Sequence, residues 1–278
     1  MNRIITYIRQ SLLEIYPPEE VKALSMLICC DMLGLDALDI YMGKDIILSE
    51  WKQRELENII FRLQKNEPIQ YIRGFTEFRG RNFKVASGVL IPRPETAELV
   101  ELVTKENPDA CRLLDIGTGS GCIAISLDKE LPNTSVEAWD ISEEALAIAR
   151  QNNKELEAGV TFLQRDVLSD DWEKMPSFDV IVSNPPYVTE TEKKDMDANV
   201  LDWEPELALF VPDEDPLRFY SRIARLGREL LLPGGKLYFE INRAYGRETA
   251  HILEMNQYRD VRVIRDIFGK DRIVTANQ

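Results

Sequence analysis

From Cys111 onward the chain alternates short apolar runs with stretches of helical period, and this alternation constrains the fold more than any other feature. The runs are CRLLDIG, SVEAWD, VTFLQRD, FDVIVSN and GKLYFEI, followed by two more near Val261 to Arg265 and Arg272 to Thr275. Between them lie helical segments ending at Leu131, running from Ser142 to about Leu156, from Pro216 to Leu231 and from Glu248 to Met255. Strands that are apolar on both faces must be covered on both faces, and crossover helices supply the cover. The expectation is an α/β domain built on a mostly parallel sheet of seven strands with helices on both faces.

The first part of the chain reads differently. Ile4 to Ile15, Glu19 to Leu33 and Ser49 to Leu63 carry apolar residues at three and four spacings, with Ser49 placed to cap the last of them. Pro17, Pro18 and Gly34 punctuate these helices. Tyr71 to Leu90 then reads as short strands with turn residues, a hairpin. A chain of 278 residues has room for two domains. The expected division is a helical domain over 1–70, a β-hairpin linker over 71–92 and the α/β domain over 93–278.

Charge and rare residues narrow the function. The net charge is -14 from 48 acidic and 34 basic side chains. Residues 1–85 hold 12 of each, so the remaining 36 acidic and 22 basic residues place the whole excess in the α/β part. Such a domain repels phosphates, which argues against a nucleic-acid partner. The four cysteines, Cys29, Cys30, Cys111 and Cys122, lack zinc spacing and read as reduced residues in or near the core, and no metal is expected. His251, the one histidine, lies in a helix-like stretch after the last obvious core strand, so histidine-rich metal sites and serine-histidine relays are largely excluded. No apolar run spans a bilayer, and the charged N-terminal stretch does not resemble a signal peptide, so no membrane association and a cytoplasmic location are expected.

The first strand of the α/β part ends in Asp115-Ile116-Gly117-Thr118-Gly119-Ser120-Gly121, just before a helix. Glycines at such a turn let backbone approach a ligand, and the crevice beyond the carboxyl ends of the strands is where doubly wound sheets bind ligands. Asp140 follows 19 residues after Gly121 at the end of the next strand, suited to a ribose diol, although capping of the following helix is the other reading. Asp166 ends the third strand, with a carboxylate suited to an exocyclic amino group. The G-x-G-x-G spacing departs from the dinucleotide fingerprint and no basic residue follows it, so the pattern suits a cationic adenosine ligand without phosphates.

The fourth strand delivers Asn184-Pro185-Pro186-Tyr187 to the same edge. An amide or aromatic NH2 is a poor nucleophile because its lone pair is delocalised. The Asn184 side-chain oxygen and the Pro185 carbonyl can accept its two N–H groups together, and the prolines stiffen both acceptors in advance. Tyr187 can lay its ring on a planar substrate group. A proline turn ending a core strand is the plain structural alternative.

These motifs resemble those of class I, Rossmann-like methyltransferases over residues 110–278. The resemblance implies S-adenosylmethionine as cofactor, held by Gly117, Thr118, Gly119, Ser120, Gly121, Asp140, Asp166 and Val167, with Asn184 beside the donated methyl group. N-P-P-Y resembles the motif of enzymes that methylate planar nitrogen. With EPIQYIRGFTEFRG, LIPRPETAELV and WEPELAL, the chain is similar nearly throughout to the bacterial release factor glutamine methyltransferase family, departing at Ala97, where another acid is frequent. The resemblance implies N5-methylation of the Gly-Gly-Gln glutamine of class 1 peptide chain release factors, with Asn184, Pro185, Pro186 and Tyr187 as catalytic and substrate-binding residues and the helical domain helping to hold the substrate protein. Ten acidic and two basic residues between Val188 and Leu217 suit a basic protein loop, though a solvated acidic loop explains them as well. A glutamine methyltransferase acting on a ribosomal protein, an adenine-N6 methyltransferase and a non-enzymatic cofactor-binding module are the rival readings. Arg93 and Glu95 sit on a stiff turn that either closes over the cofactor or caps the next helix.

Overall fold

A computed structural model describes residues 3–169 and 177–278. The chain forms two compact units, one of Met1–Arg73 with Ala198–Trp203, the other of Gly74–Asp197 with Glu204–Gln278.

The smaller unit is helical: α1 (Arg3–Leu12), α2 (Pro18–Met26), α3 (Ala37–Tyr41), α4 (Glu50–Leu63) and α5 (Ile69–Arg73), with a π-helical turn at Leu27–Met32. Ile4, Ile8 and Leu12 form the buried stripe of α1 at four-residue spacing. They pack with Val21, Ile28, Leu56, Ile60 and Leu63 into a separate core. Ser49 caps α4 as its position implies, its hydroxyl accepting from the Lys52 N–H at 3.4 Å. Asp36 caps α3, accepting from Leu38 N–H at 2.8 Å and Asp39 N–H at 3.1 Å. The sequence suggests a single helix from Glu19 to Leu33, but its last part widens into the π turn, where Leu33 N–H reaches back five residues to Ile28 O. Tyr71, expected to begin a strand, is in α5 instead. Pro68 starts that turn, its carbonyl accepting from both Tyr71 and Ile72.

The larger unit begins with the hairpin β1 (Phe75–Phe78) and β2 (Arg81–Lys84). Phe78 and Phe83 meet edge to face within the core of this unit. The other elements are α6 (Thr96–Glu106), β3 (Arg112–Ile116), α7 (Cys122–Glu130), β4 (Ser135–Asp140), α8 (Glu143–Glu155), β5 (Thr161–Gln164), β6 (Phe178–Ser183), β7 (Val188–Thr189), α9 (Ala198–Leu201, counted with the smaller unit), α10 (Glu206–Leu209), β8 (Phe210–Val211), α11 (Arg218–Leu230), β9 (Leu231–Glu240), α12 (Gly246–Met255), β10 (Arg259–Arg265) and β11 (Asp271–Asn277).

Seven strands form one sheet in the order β10-β11-β9-β6-β3-β4-β5. The pairs from β9 to β5 are parallel and β11 runs antiparallel to both its neighbours. The reversal follows from a tight turn: Asp266 Oδ1 accepts from Phe268 and Lys270 N–H groups, both at 2.9 Å, and closes β10 onto β11. The sheet carries a core on each face, one around Leu113, Ile125 and Val182, the other around Ile181, Ile223 and Phe239. Val180, Ile181 and Val182 of β6 are buried. Each contributes about 1.5–3 kcal/mol of burial, making β6 a rigid platform for whatever follows Ser183. Cys29 and Cys122 are buried and Cys30 is half-buried, but Cys111 is exposed, contrary to expectation, because it precedes β3. Its N–H and that of Arg112 bind the Asp179 carboxylate at 2.9 and 2.8 Å. His251 is exposed on α12 beside Glu254. Among the described residues no helix is long and apolar enough to cross a membrane.

Candidate active site

β3, β4, β5 and β6 run parallel, so their carboxyl ends share one edge of the sheet. β3 is followed in space by β4 on one side and β6 on the other, which makes the β3–β6 seam a topological switch point. A cavity of about 420 Å³ opens there, within the range of small-ligand sites. Among the residues that line it are Gly117, Gly119, Asp140, Asp166 and Val167, Asn184, Pro185 and Pro186, and the stretches Gly88–Leu90 and Pro205–Ala208.

The Gly-rich turn is shaped by backbone that only glycine adopts easily. Gly119 has φ +54° and no protein atom within 4 Å of where a Cβ would stand, so its missing side chain leaves ligand space. Gly121 has φ +82° and caps α7; a Cβ there would meet Ile125 Cδ1 at 3.0 Å and Ala149 Cβ at 3.3 Å. Thr118 and Ser120 are buried beneath the turn and do not line the cavity, and neither does Gly121. Thr118 donates its hydroxyl to Asp115 Oδ2 at 2.7 Å. Burial pushes the Asp115 carboxyl up to about 7.

Asp140 ends β4 and uses both oxygens: Oδ2 accepts from Gly119 N–H at 2.8 Å and Oδ1 from Ser142 N–H at 2.9 Å. The cap of α8 is Ser142, whose hydroxyl accepts from Ala145 N–H, so Asp140 ties the Gly-rich turn to the helix entrance while bordering the cavity. Burial raises its pKa, and the backbone donors of Ser142 and Gly119 oppose the rise. Asp166 lies just beyond β5, accepting from Leu168 N–H at 2.8 Å, and the Val167 carbonyl accepts from Arg222 Nε at 2.9 Å. The cavity wall carries the acids Asp140, Glu144, Asp166 and Glu206 against one basic residue, Arg165. That balance suits a cation better than a phosphate.

Asn184 follows β6 directly. Its Nδ2 donates to Thr96 Oγ1 at 3.4 Å, and Thr96 donates to Glu240 Oε2 at 2.7 Å. Tyr187 is set back from the cavity, with its hydroxyl donating to Glu240 Oε1 at 3.2 Å and its carbonyl accepting from Asn242 Nδ2 at 3.1 Å. Thr96 and Glu240 are site residues that the sequence reading passes over. A glutamate inside the apolar run GKLYFEI was the available signal, because buried carboxylates are rare without a specific partner.

Arg93 and Glu95 do not line the cavity. Arg93 Nη2 pairs with buried Glu204 at 2.6 Å, and Glu204 Oε2 also accepts from Ile91 N–H at 3.0 Å. Glu95 occupies the cap position of α6 without a side-chain capping bond. Part of the acidic excess after Tyr187 is engaged by hydrogen bonds within the chain: half-buried Glu192 accepts from Thr189 N–H and Asn242 Nδ2, and exposed Asp213 from Thr191 N–H. Among the described residues no group of three or more His, Cys, Asp or Glu is arranged to hold a metal ion.

This strand order, with a Gly-rich turn after the strand at the switch point and an acid after the next, defines a class I methyltransferase fold. Residues 94–202 match the Methyltransferase small domain family and residues 3–74 the PrmC N-terminal domain family. A methyltransferase crystal structure from Pyrococcus furiosus shares the fold at TM-score 0.54 and 19% identity, over 80% of this chain and 98% of that one. A release factor glutamine methyltransferase of Bacteroides thetaiotaomicron is 81% identical over 100% of both chains. One from Flavobacterium psychrophilum is 43% identical over 96% of this chain and 95% of its own. The chain belongs to the release factor glutamine methyltransferase family.

Proposed function

We propose that the chain transfers the methyl group of S-adenosylmethionine to the side-chain amide N5 of the glutamine in the Gly-Gly-Gln loop of class 1 peptide chain release factors, in the cytoplasm. The observation that carries this reading is the position of Asn184, Pro185 and Pro186 on the wall of the same cavity that Gly119, Asp140 and Asp166 border. The names of the relatives point to the same substrate.

The cavity suits S-adenosylmethionine. Open space at Gly119, an acid-rich wall and carboxylates at the ends of two successive strands match a cationic nucleoside. The backbone of Gly117 and Gly119, the residues of the turn that line the cavity, would hold the amino acid portion, Asp140 the ribose, and Asp166 with Val167 the adenine. S-adenosylmethionine supplies an electrophilic methyl carbon on a sulfonium. The Asn184 Oδ1 and the Pro185 carbonyl accept the two N–H groups of the glutamine amide and aim its nitrogen. Pro186 stiffens the corner and Tyr187, anchored through Glu240, backs it. Forming the N–C bond would break the S–C bond and release S-adenosylhomocysteine, leaving an N-protonated methylamide that is a strong acid and gives its surplus proton to water without a dedicated base. The helical unit, which exposes Tyr41, Ile47 and Trp51, contributes to gripping the substrate protein.

The test offers purified protein and labelled S-adenosylmethionine to a class 1 release factor, the same factor with its Gly-Gly-Gln glutamine changed to alanine, a ribosomal protein and duplex DNA, with mass spectrometry of the products. Label is expected on the intact factor alone. Label on the alanine variant, the ribosomal protein or DNA overturns the reading.

A further inference from the structure

Glu240 ends β9 among Leu237, Tyr238, Phe239 and Ile241, all fully buried, and is itself 1% exposed. A carboxylate in such surroundings is tolerated only where donors surround it. Two hydroxyls do so, Thr96 at 2.7 Å and Tyr187 at 3.2 Å. Burial raises the Glu240 pKa, while the Thr96 hydrogen bond and the Arg272 cation favour the charged form.

Proton counting then fixes a direction. A threonine hydroxyl has one hydrogen, and Thr96 gives it to Glu240, so toward Asn184 it can only accept. An asparagine amide has a donor end and an acceptor end of nearly the same shape, and nothing in its size decides which faces a neighbour. The acceptor at Thr96 decides it: Nδ2 turns toward Thr96 and Oδ1 is left for the substrate.

We infer that Glu240 is a positioning residue that sets the polarity of the chain Glu240–Thr96–Asn184, and so selects which end of the Asn184 amide meets the nitrogen to be methylated. The inference rests on the acceptor role of Asn184 proposed above. The same carboxyl group holds the Tyr187 hydroxyl, so one buried side chain orients both ends of the Asn184–Tyr187 tetrapeptide.

Glu240→Gln tests this with little change of shape. A glutamine amide donates where the carboxylate accepted; when it donates to Thr96, the threonine proton is released toward Asn184 and favours the wrong end of the amide. Steady-state methylation of a release factor should show kcat reduced on the order of 10²-fold, as for loss of one preorganised partner. KM for the factor and Kd for the cofactor should stay within about threefold. In the parent, Thr96→Ser should keep near-normal turnover where Thr96→Val does not. In an Asn184→Ala background Glu240→Gln should lose most of its effect, what remains acting through Tyr187. Turnover of Glu240→Gln within about threefold of the parent, or an equal loss in both backgrounds, overturns the inference. Neutron diffraction of the perdeuterated parent supplies a reading independent of activity and of how the variant folds. A deuteron on Thr96 directed at Glu240, with two on Asn184 facing Thr96, is expected, and the reverse arrangement overturns the inference. A parent protein that shows the expected deuterons yet leaves the release factor unmethylated defeats the proposed function and leaves the polarity standing.

Discussion

Arg93 and Glu204 form an ion pair at 2.6 Å with unequal partners, the guanidinium side chain 32% exposed and the carboxylate 1%. The pair joins the Pro-rich turn before α6 to the segment that enters α10, and Glu204 adds the Ile91 N–H to its contacts. Both joined segments adjoin stretches that line the cavity, Gly88–Leu90 and Pro205–Ala208. The two conspicuous motifs LIPRPETAELV and WEPELAL therefore meet each other.

The inequality makes the two halves of the pair respond differently. Arg93→Met strips a buried carboxylate of its cation and should cost roughly 3 kcal/mol. Glu204→Gln leaves an arginine that water can reach and an amide that still accepts from Ile91, and should cost about 1 kcal/mol. Urea denaturation of the two variants checks the order, and equal losses would show that the burial asymmetry has no energetic weight.

Asp115 supplies a dependence on pH. Its folded pKa, about 7, lies above the ordinary aspartate value of 3.8, so between the two the native state holds a proton that the unfolded chain has released. Stability from this group is full below the unfolded value and falls as pH rises through the window between the two, by at most about 1.4 kcal/mol per unit. Above about 7 the loss is complete. Asp115→Asn should flatten the decline, seen as a smaller drop in the urea midpoint between pH 5 and pH 8 than the parent shows.

The glycines of the turn separate folding from binding. Gly121→Ala forces a Cβ into left-handed backbone and against Ile125 and Ala149, and should cost about 2–3 kcal/mol of stability. Gly119→Ala meets no protein atom and should cost only about 1 kcal/mol. Its methyl group enters ligand space instead, so calorimetry should show cofactor affinity roughly tenfold weaker.

On the proposed role, Asn184→Ala removes an acceptor for the reacting nitrogen. Turnover should fall on the order of 10²–10³-fold, while the cofactor Kd measured by calorimetry moves less than about threefold. A parallel loss of cofactor binding would assign Asn184 to holding the nucleoside instead.

Much of this architecture was written locally in the chain. Apolar runs name their own strands, and in a parallel sheet the residue after each strand falls on one edge, so Gly117, Asp140, Asp166 and Asn184 could be brought together from position alone. The rest depends on partners that local pattern does not connect. Thr96 and Glu240 are 144 residues apart, and Ile91 and Glu204 are 113 apart. The π-helical turn at Leu27–Met32 keeps the apolar spacing of an ordinary helix and so gives no warning. Tyr187 carries a ring suited to stacking, but its hydroxyl bond to Glu240 and its setback from the cavity were not readable from four letters.

The short stretch Ala198–Trp203 is counted with the helical unit, where Trp203 Nε1 donates to Lys65 O at 2.9 Å. The polypeptide thus passes between the two units three times, and only residues 188–197 separate Tyr187 from the second passage. Deleting residues 1–73 is for that reason not a clean amputation: it strands six residues, 198–203, without the helices they belong to, on a tether fastened at Tyr187. Whatever takes hold of the helical unit has a covalent line to the Asn184–Tyr187 corner.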